Sequence, residues 1–102
     1  MFNKFCALIV LLLGLSSPAF AQTTIVFASD ATWPPMEFVD EDKRVVGYAI
    51  DMVNAIAKEA GFHAEIKNTA WDGIFAGLIA GKYDVIASSV SITDDRKKSM
   101  DF

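Results

Sequence analysis

The sequence predicts an α/β fold with a mostly parallel sheet, ordered β-α-β-α-β, and three observations carry that prediction. Strand-like and helix-like runs alternate along residues 22–102. The helix-like runs repeat apolar residues at helical spacing. The last strand-like run, Tyr83 to Ala87, is apolar apart from Asp84, as a parallel strand covered on both faces should be.

Taken in order, Thr24-Ile25-Val26-Phe27-Ala28-Ser29 is the first strand, rich in β-branched and aromatic residues. It breaks at the turn Trp33-Pro34-Pro35. The charged run Asp40-Glu41-Asp42-Lys43-Arg44 reads as an exposed loop leading through Val45-Val46-Gly47 into a helix. That helix carries Ile50, Val53, Ile56, Ala57 and Ala60 on one face and stops at Gly61. Phe62 to Lys67 is the second strand. Thr69 is then expected to cap a second helix, with Asp72 three residues on and an apolar stripe of Trp71, Ile74, Phe75, Leu78 and Ile79. Gly81 ends it, and Tyr83 to Ala87 gives the third strand. Gly73, Gly77 and Gly81 recur every four residues, a spacing read as close packing of this helix on the sheet.

Residues 1–21 stand apart. Lys4 precedes the apolar run Phe5 to Leu15, and Ala19-Phe20-Ala21 supplies small residues at cleavage spacing, so a secretory signal removed after Ala21 is expected. The run is well short of the roughly 20 apolar residues a membrane-crossing helix needs. Cys6, the only cysteine, leaves with it, and the mature chain must be held by core packing without disulfides. The 81 residues from Gln22 onward carry 8 basic and 13 acidic side chains, net charge −5. Such a balance argues against nucleic acid or an anionic membrane as partner, since both are held by clustered Lys and Arg. Met100-Asp101-Phe102 stops as a new apolar segment begins, so the chain is expected to be cut short.

In an open parallel sheet, ligands bind outside the carboxyl ends of the strands. The first strand is followed by Asp30 and Trp33, the second by Asn68, Trp71 and Asp72, and the third by Ser88, Ser89, Ser91 and Arg96. Polar and aromatic groups therefore converge on one edge. Within Ser88–Arg96, Thr93 reads as a helix cap and Asp94 and Asp95 suit the helix's first turn, whereas Arg96 puts a cation where the helix dipole is already positive. An anion should compensate it, and serine hydroxyls with a forked guanidinium suit a small carboxylate. A solvated basic turn, Arg96-Lys97-Lys98, is the plain alternative, core packing is the alternative for Trp71, and a helix or turn cap is the alternative for Asp30.

Other chemistries find little support. His63 is the only histidine, and no zinc spacing exists. The stretch from Gly77 to Tyr83 is one residue short of a phosphate loop and lacks its hydroxyl. The serines lack the glycine-flanked elbow of hydrolases. No catalytic residue, metal or cofactor is assigned.

Four motifs bring a resemblance into view: Ser29-Asp30-Ala31-Thr32-Trp33-Pro34-Pro35-Met36-Glu37-Phe38; Val46-Gly47-Tyr48-Ala49-Ile50-Asp51-Met52; Trp71-Asp72-Gly73-Ile74-Phe75-Ala76-Gly77-Leu78; and Ser88 through Arg96, continuing to Asp101-Phe102. In this order and spacing the chain resembles the amino-acid-binding periplasmic solute receptors, solute-binding protein family 3. The resemblance implies a two-lobed, hinge-closing fold of which residues 22–102 are the N-terminal part of the first lobe, the second lobe being absent. It implies a monomeric periplasmic receptor that hands an amino acid, polar or basic by preference, to an inner-membrane ABC permease. It further implies that Arg96 takes the ligand's α-carboxylate, supported by Ser91, that Ser89 helps hold the amino end, and that Asp30 lies near the ligand side chain. Trp33 and Trp71 match aromatic positions on either side of the ligand stem. Two alternatives share the fold, a periplasmic prephenate-type dehydratase and an extracytoplasmic sensor domain of a membrane signalling protein. With half of its cleft open to water, the chain alone is expected to bind amino acids weakly or not at all.

Overall fold

The computed structural model describes residues 21–102. The expected export signal lies outside the described residues, apart from Ala21. The elements are β1 (Thr24–Ser29), β2 (Thr32–Trp33), β3 (Glu37–Val39), β4 (Val45–Val46), α1 (Tyr48–Ala60), β5 (His63–Asn68), α2 (Ile74–Ile79), β6 (Val85–Ile86) and α3 (Asp94–Lys97). The expected alternation survives as β1-α1-β5-α2-β6, an α/β fold with a parallel sheet.

That sheet has the order β5-β1-β6, with β1 parallel to both neighbours. Thr24 pairs with His63 and Ser29 with Asn68, so β1 and β5 end level. The chain leaves β1 for β5 on one side, then returns past β1 to β6 on the other. This reversal creates a switch point between β1 and β6, where a crevice opens at the carboxyl ends. Alternate side chains of β1 serve opposite faces. Val26 and Ala28 pack with Ile74, Tyr83, Phe75, Leu78 and Ile86, whereas Phe27 stacks on Phe62, which follows α1, at 6.2 Å. On α1 the buried residues are Ile50, Val53 and Ala57, and Gly61 ends the helix in the left-handed conformation as expected.

A second, antiparallel sheet, β2-β3-β4, was not anticipated. Its strands are only two or three residues long, too short to show an alternating pattern, and the sequence reading took them as turn and loop. The charged run Asp40–Arg44 is its hairpin turn, closed by the Asp40 N–H donating to Arg44 O at 2.9 Å.

Three expectations need correction. The second helix starts at Ile74, not after Thr69, whose hydroxyl instead donates to Lys67 O at 3.1 Å. Gly73 in left-handed backbone interrupts any helix begun earlier, and Trp71 accordingly lies outside the helical stripe. The stripes are also narrower than drawn: Ile56 and Ile79 are exposed. Finally, β6 is not covered on both faces in the described residues, because Val85 is exposed and borders an open groove. Of the three evenly spaced glycines only Gly77 is a close-packing position. A Cβ there would overlap the Tyr83 ring, whose hydroxyl donates to Ile74 O, while Gly73 and Gly81 are positions of positive φ.

Candidate ligand-binding site

The site begins with three strand ends tied to one another. Past β1, the Asp30 N–H donates to Ser88 Oγ at 2.8 Å, joining the ends of β1 and β6. The Thr69 N–H donates to Ser29 O at 2.8 Å and the Ala31 N–H to Asn68 Oδ1 at 3.2 Å, joining β1 to β5. Asp30 completes the tie with its carboxylate. Its Oδ1 accepts from the Thr32 hydroxyl at 2.7 Å and its Oδ2 from the Trp71 N–H at 2.9 Å. The parallel register, which pairs Ser29 with Asn68 and Ala28 with Ile86, brings these loops to one level, and polar side chains then satisfy amides that no ladder reaches.

Above this base lies a cleft of ≈ 290 Å³ lined by Trp33, Trp71, Ser88, Ser89, Ser91 and Arg96. Six of the seven expected site residues therefore come together. Asp30 does not line the cleft: it is buried, with both carboxylate oxygens engaged by the protein, and it acts as a loop clasp. Trp33, 65 % exposed, presents its ring to the cleft, and Trp71 is 40 % exposed. Ser88 is buried, its oxygen used by Asp30, whereas Ser89 and Ser91 stand at the surface.

Arg96 sits on α3. Thr93 caps that helix as expected, its hydroxyl oxygen accepting from the Arg96 N–H at 3.2 Å. The guanidinium donates through NH1 to Ser91 O at 2.8 Å and lies 5.1 Å from the Phe75 ring centroid and 5.9 Å from that of Trp71. Among the described residues it forms no ion pair. A guanidinium has five in-plane N–H donors, so stacking on its face and one bond to a carbonyl leave others for an incoming anion.

Two residues at the site had no role in the sequence reading. Glu37 on β3 is fully buried, with Oε2 accepting from the Ser89 hydroxyl at 2.9 Å and Oε1 without a partner among the described residues. A lone acid within Met36-Glu37-Phe38-Val39 was the available signal. Ser89, at φ 52, holds the left-handed conformation that aims its hydroxyl at this acid. Phe75, read only as core, supplies the ring nearest Arg96.

A larger groove of ≈ 690 Å³ follows the β6 edge, lined by Val85, Ile86, Val90, Ile92 and Phe102 among others. Its mainly apolar lining offers no cation for a carboxylate, so the smaller cleft at the switch point is the candidate site. Among the described residues no cluster of three or more His, Cys, Asp or Glu is placed to hold a metal.

Comparison with known proteins agrees with this architecture. Residues 25–102 match the model of the bacterial extracellular solute-binding proteins, family 3. A probable histidine-binding protein of Neisseria gonorrhoeae is 45 % identical over 75 residues, which are 74 % of this chain and 28 % of that protein. An ancestral arginine-binding protein bound to arginine superposes with a TM-score of 0.76 at 42 % identity, over 79 % of this chain and 36 % of that one. An arginine-bound variant of domain 1 from TmArgBP superposes with a TM-score of 0.69 at 39 % identity, over 74 % of this chain and 58 % of that one. The chain thus spans about a third of the length of the curated relatives it matches. With residues 25–102 matched by the family model, this chain belongs to the bacterial extracellular solute-binding proteins, family 3.

Proposed function

We propose that this chain supplies the carboxylate-binding side of a periplasmic amino-acid receptor that serves an inner-membrane ABC permease. The observation that carries the reading is the placement of Arg96 beside Ser89 and Ser91 at the mouth of the switch-point cleft, facing two tryptophan rings. An α-carboxylate would meet the remaining guanidinium N–H groups, and Trp33 and Trp71 would flank the aliphatic stem. Ring faces favour a cationic or amide side chain, and the relatives are named for histidine and arginine. Solute binding, rather than catalysis, is the role that family membership supports.

The cleft is open on one side, and an exposed arginine–carboxylate pair is screened by water. Binding by residues 22–102 alone is therefore expected to be weak, with Kd on the order of millimolar or above. A variant of domain 1 from TmArgBP is described as arginine-bound, which supports binding by one domain.

Calorimetric or NMR titration of the exported chain with L-arginine, L-histidine and agmatine, which is arginine without its carboxylate, tests the proposal. Detectable binding of the two amino acids, weaker though still measurable with agmatine and lost in Arg96→Ala, is the expected result. Equal binding of agmatine and L-arginine would remove the carboxylate role of Arg96. Turnover of prephenate would move the protein to the dehydratase class.

A further inference from the structure

We infer that Phe75 is a positioning residue for Arg96, an inference that rests on the carboxylate-binding reading of the cleft. Three groups form one cluster. The Trp71 and Phe75 rings meet edge to face at 5.2 Å and 78°, and the Arg96 guanidinium lies over both, nearer Phe75 at 5.1 Å. Phe75 does not line the cleft, so it reaches a ligand only through Arg96.

The geometry fits a device for holding a flexible cation. An arginine side chain has high rotamer entropy, and α3, only four residues long, holds little of it by itself. The Ser91 carbonyl fixes one guanidinium nitrogen, and the two rings, within 5.9 Å of the cation, limit where the rest of the group can go. A planar cation stacked on a ring keeps its in-plane donors free, which is the arrangement a bidentate carboxylate needs. Phe75 itself is fixed from below, since it packs against the buried cluster of Ala28, Ile74 and Tyr83. The core therefore sets the position of the ring, and the ring limits where the guanidinium can go. A leucine would fill comparable space without the ring quadrupole, so the wild-type aromatic does more than pack.

The test compares wild type, Phe75→Leu, Phe75→Tyr and Arg96→Ala, each expressed from the full chain and collected after export, with folding checked by circular dichroism. The first readout needs no ligand. In wild type and Phe75→Tyr the Arg96 side-chain proton resonances are shifted upfield by ring currents, and Phe75→Leu reduces that shift to the part Trp71 contributes. Unshifted Arg96 protons in wild type would overturn the inference. The second readout is affinity for L-arginine and agmatine. Loss of an exposed cation–π contact predicts that Phe75→Leu weakens L-arginine about two- to fivefold, leaves agmatine unchanged, and is rescued by Phe75→Tyr. Equal losses for both probes would mean a general packing role and overturn the proposal. Wild-type affinity in Phe75→Leu, with binding lost in Arg96→Ala, would overturn it while leaving the carboxylate reading intact. Wild-type affinity in Arg96→Ala would remove the carboxylate reading, and this inference with it.

Discussion

The Asp30 carboxylate accepts the backbone N–H of Trp71 across 41 positions of sequence, at 2.9 Å, and so fastens the loop after β5 to the end of β1. The same carboxylate holds the Thr32 hydroxyl. One buried acid thus fixes both loops that carry the cleft's tryptophans.

Replacing that acid should loosen both loops. Asp30→Ala leaves the Trp71 N–H and the Thr32 hydroxyl unpaired and is expected to destabilise the chain by about 1–3 kcal/mol. Asp30→Asn keeps one acceptor and should cost less. Urea denaturation followed by tryptophan fluorescence measures both. Stability unchanged in Asp30→Ala would show that the clasp carries no load in solution.

Ser89 and Ser91 should separate stability from binding. Ser89→Ala removes the donor to the buried Glu37 carboxylate and is expected to cost about 1–3 kcal/mol. Ser91→Ala keeps the carbonyl that Arg96 uses, so its stability should stay near wild type. Thermal unfolding of the two variants side by side decides the matter, and equal stabilities would contradict the assignment.

Gly77→Ala tests the fit of α2 against the sheet. The added methyl would overlap the Tyr83 ring, and overpacking of this kind costs about 1–3 kcal/mol. The hydroxyl is the atom nearest the new methyl, so Tyr83→Phe in the same chain should recover part of the loss. A Gly77→Ala chain as stable as wild type would mean that Tyr83 turns aside freely.

The hairpin turn should respond to acid. The Arg44 backbone N–H donating to Asp40 holds that carboxyl below its ordinary 3.8, and the Arg44 guanidinium, 3.1 Å from Asp40 Oδ2, adds its charge. A carboxyl depressed in the folded state stabilises it above the unfolded pKa, and that contribution fades as pH falls through the lower folded value. The turn is therefore expected to loosen only below about pH 4. Arg44→Ala keeps the backbone bond, so the Asp40 pKa should rise only part of the way back. Carboxyl-carbon NMR titration reads it directly, and no rise at all would exclude the side chain from the effect.

The sequence by itself determined the alternation β1-α1-β5-α2-β6, the stop of α1 at Gly61 and the Thr93 cap, because each depends on neighbours a few residues away, and the parallel sheet follows from that alternation through the crossover rule. It also brought six cleft residues to one edge, since the strand-end rule needs only the element order. What it did not determine depends on groups far apart in the chain. Asp30 reads as either a ligand contact or a turn cap, and only the fold shows that its oxygens hold Thr32 and Trp71; Phe75 reads as core, which it is, and only the fold adds that α3 lays Arg96 over its ring. The start of α2 was misread because Thr69 and Asp72 have the spacing of a cap, yet the left-handed Gly73 delays the helix and a distant carboxylate takes the Trp71 amide. Hydrogen-bonding groups and ring faces take whichever partner the tertiary fold delivers, and the spacing of residues along the chain does not name that partner.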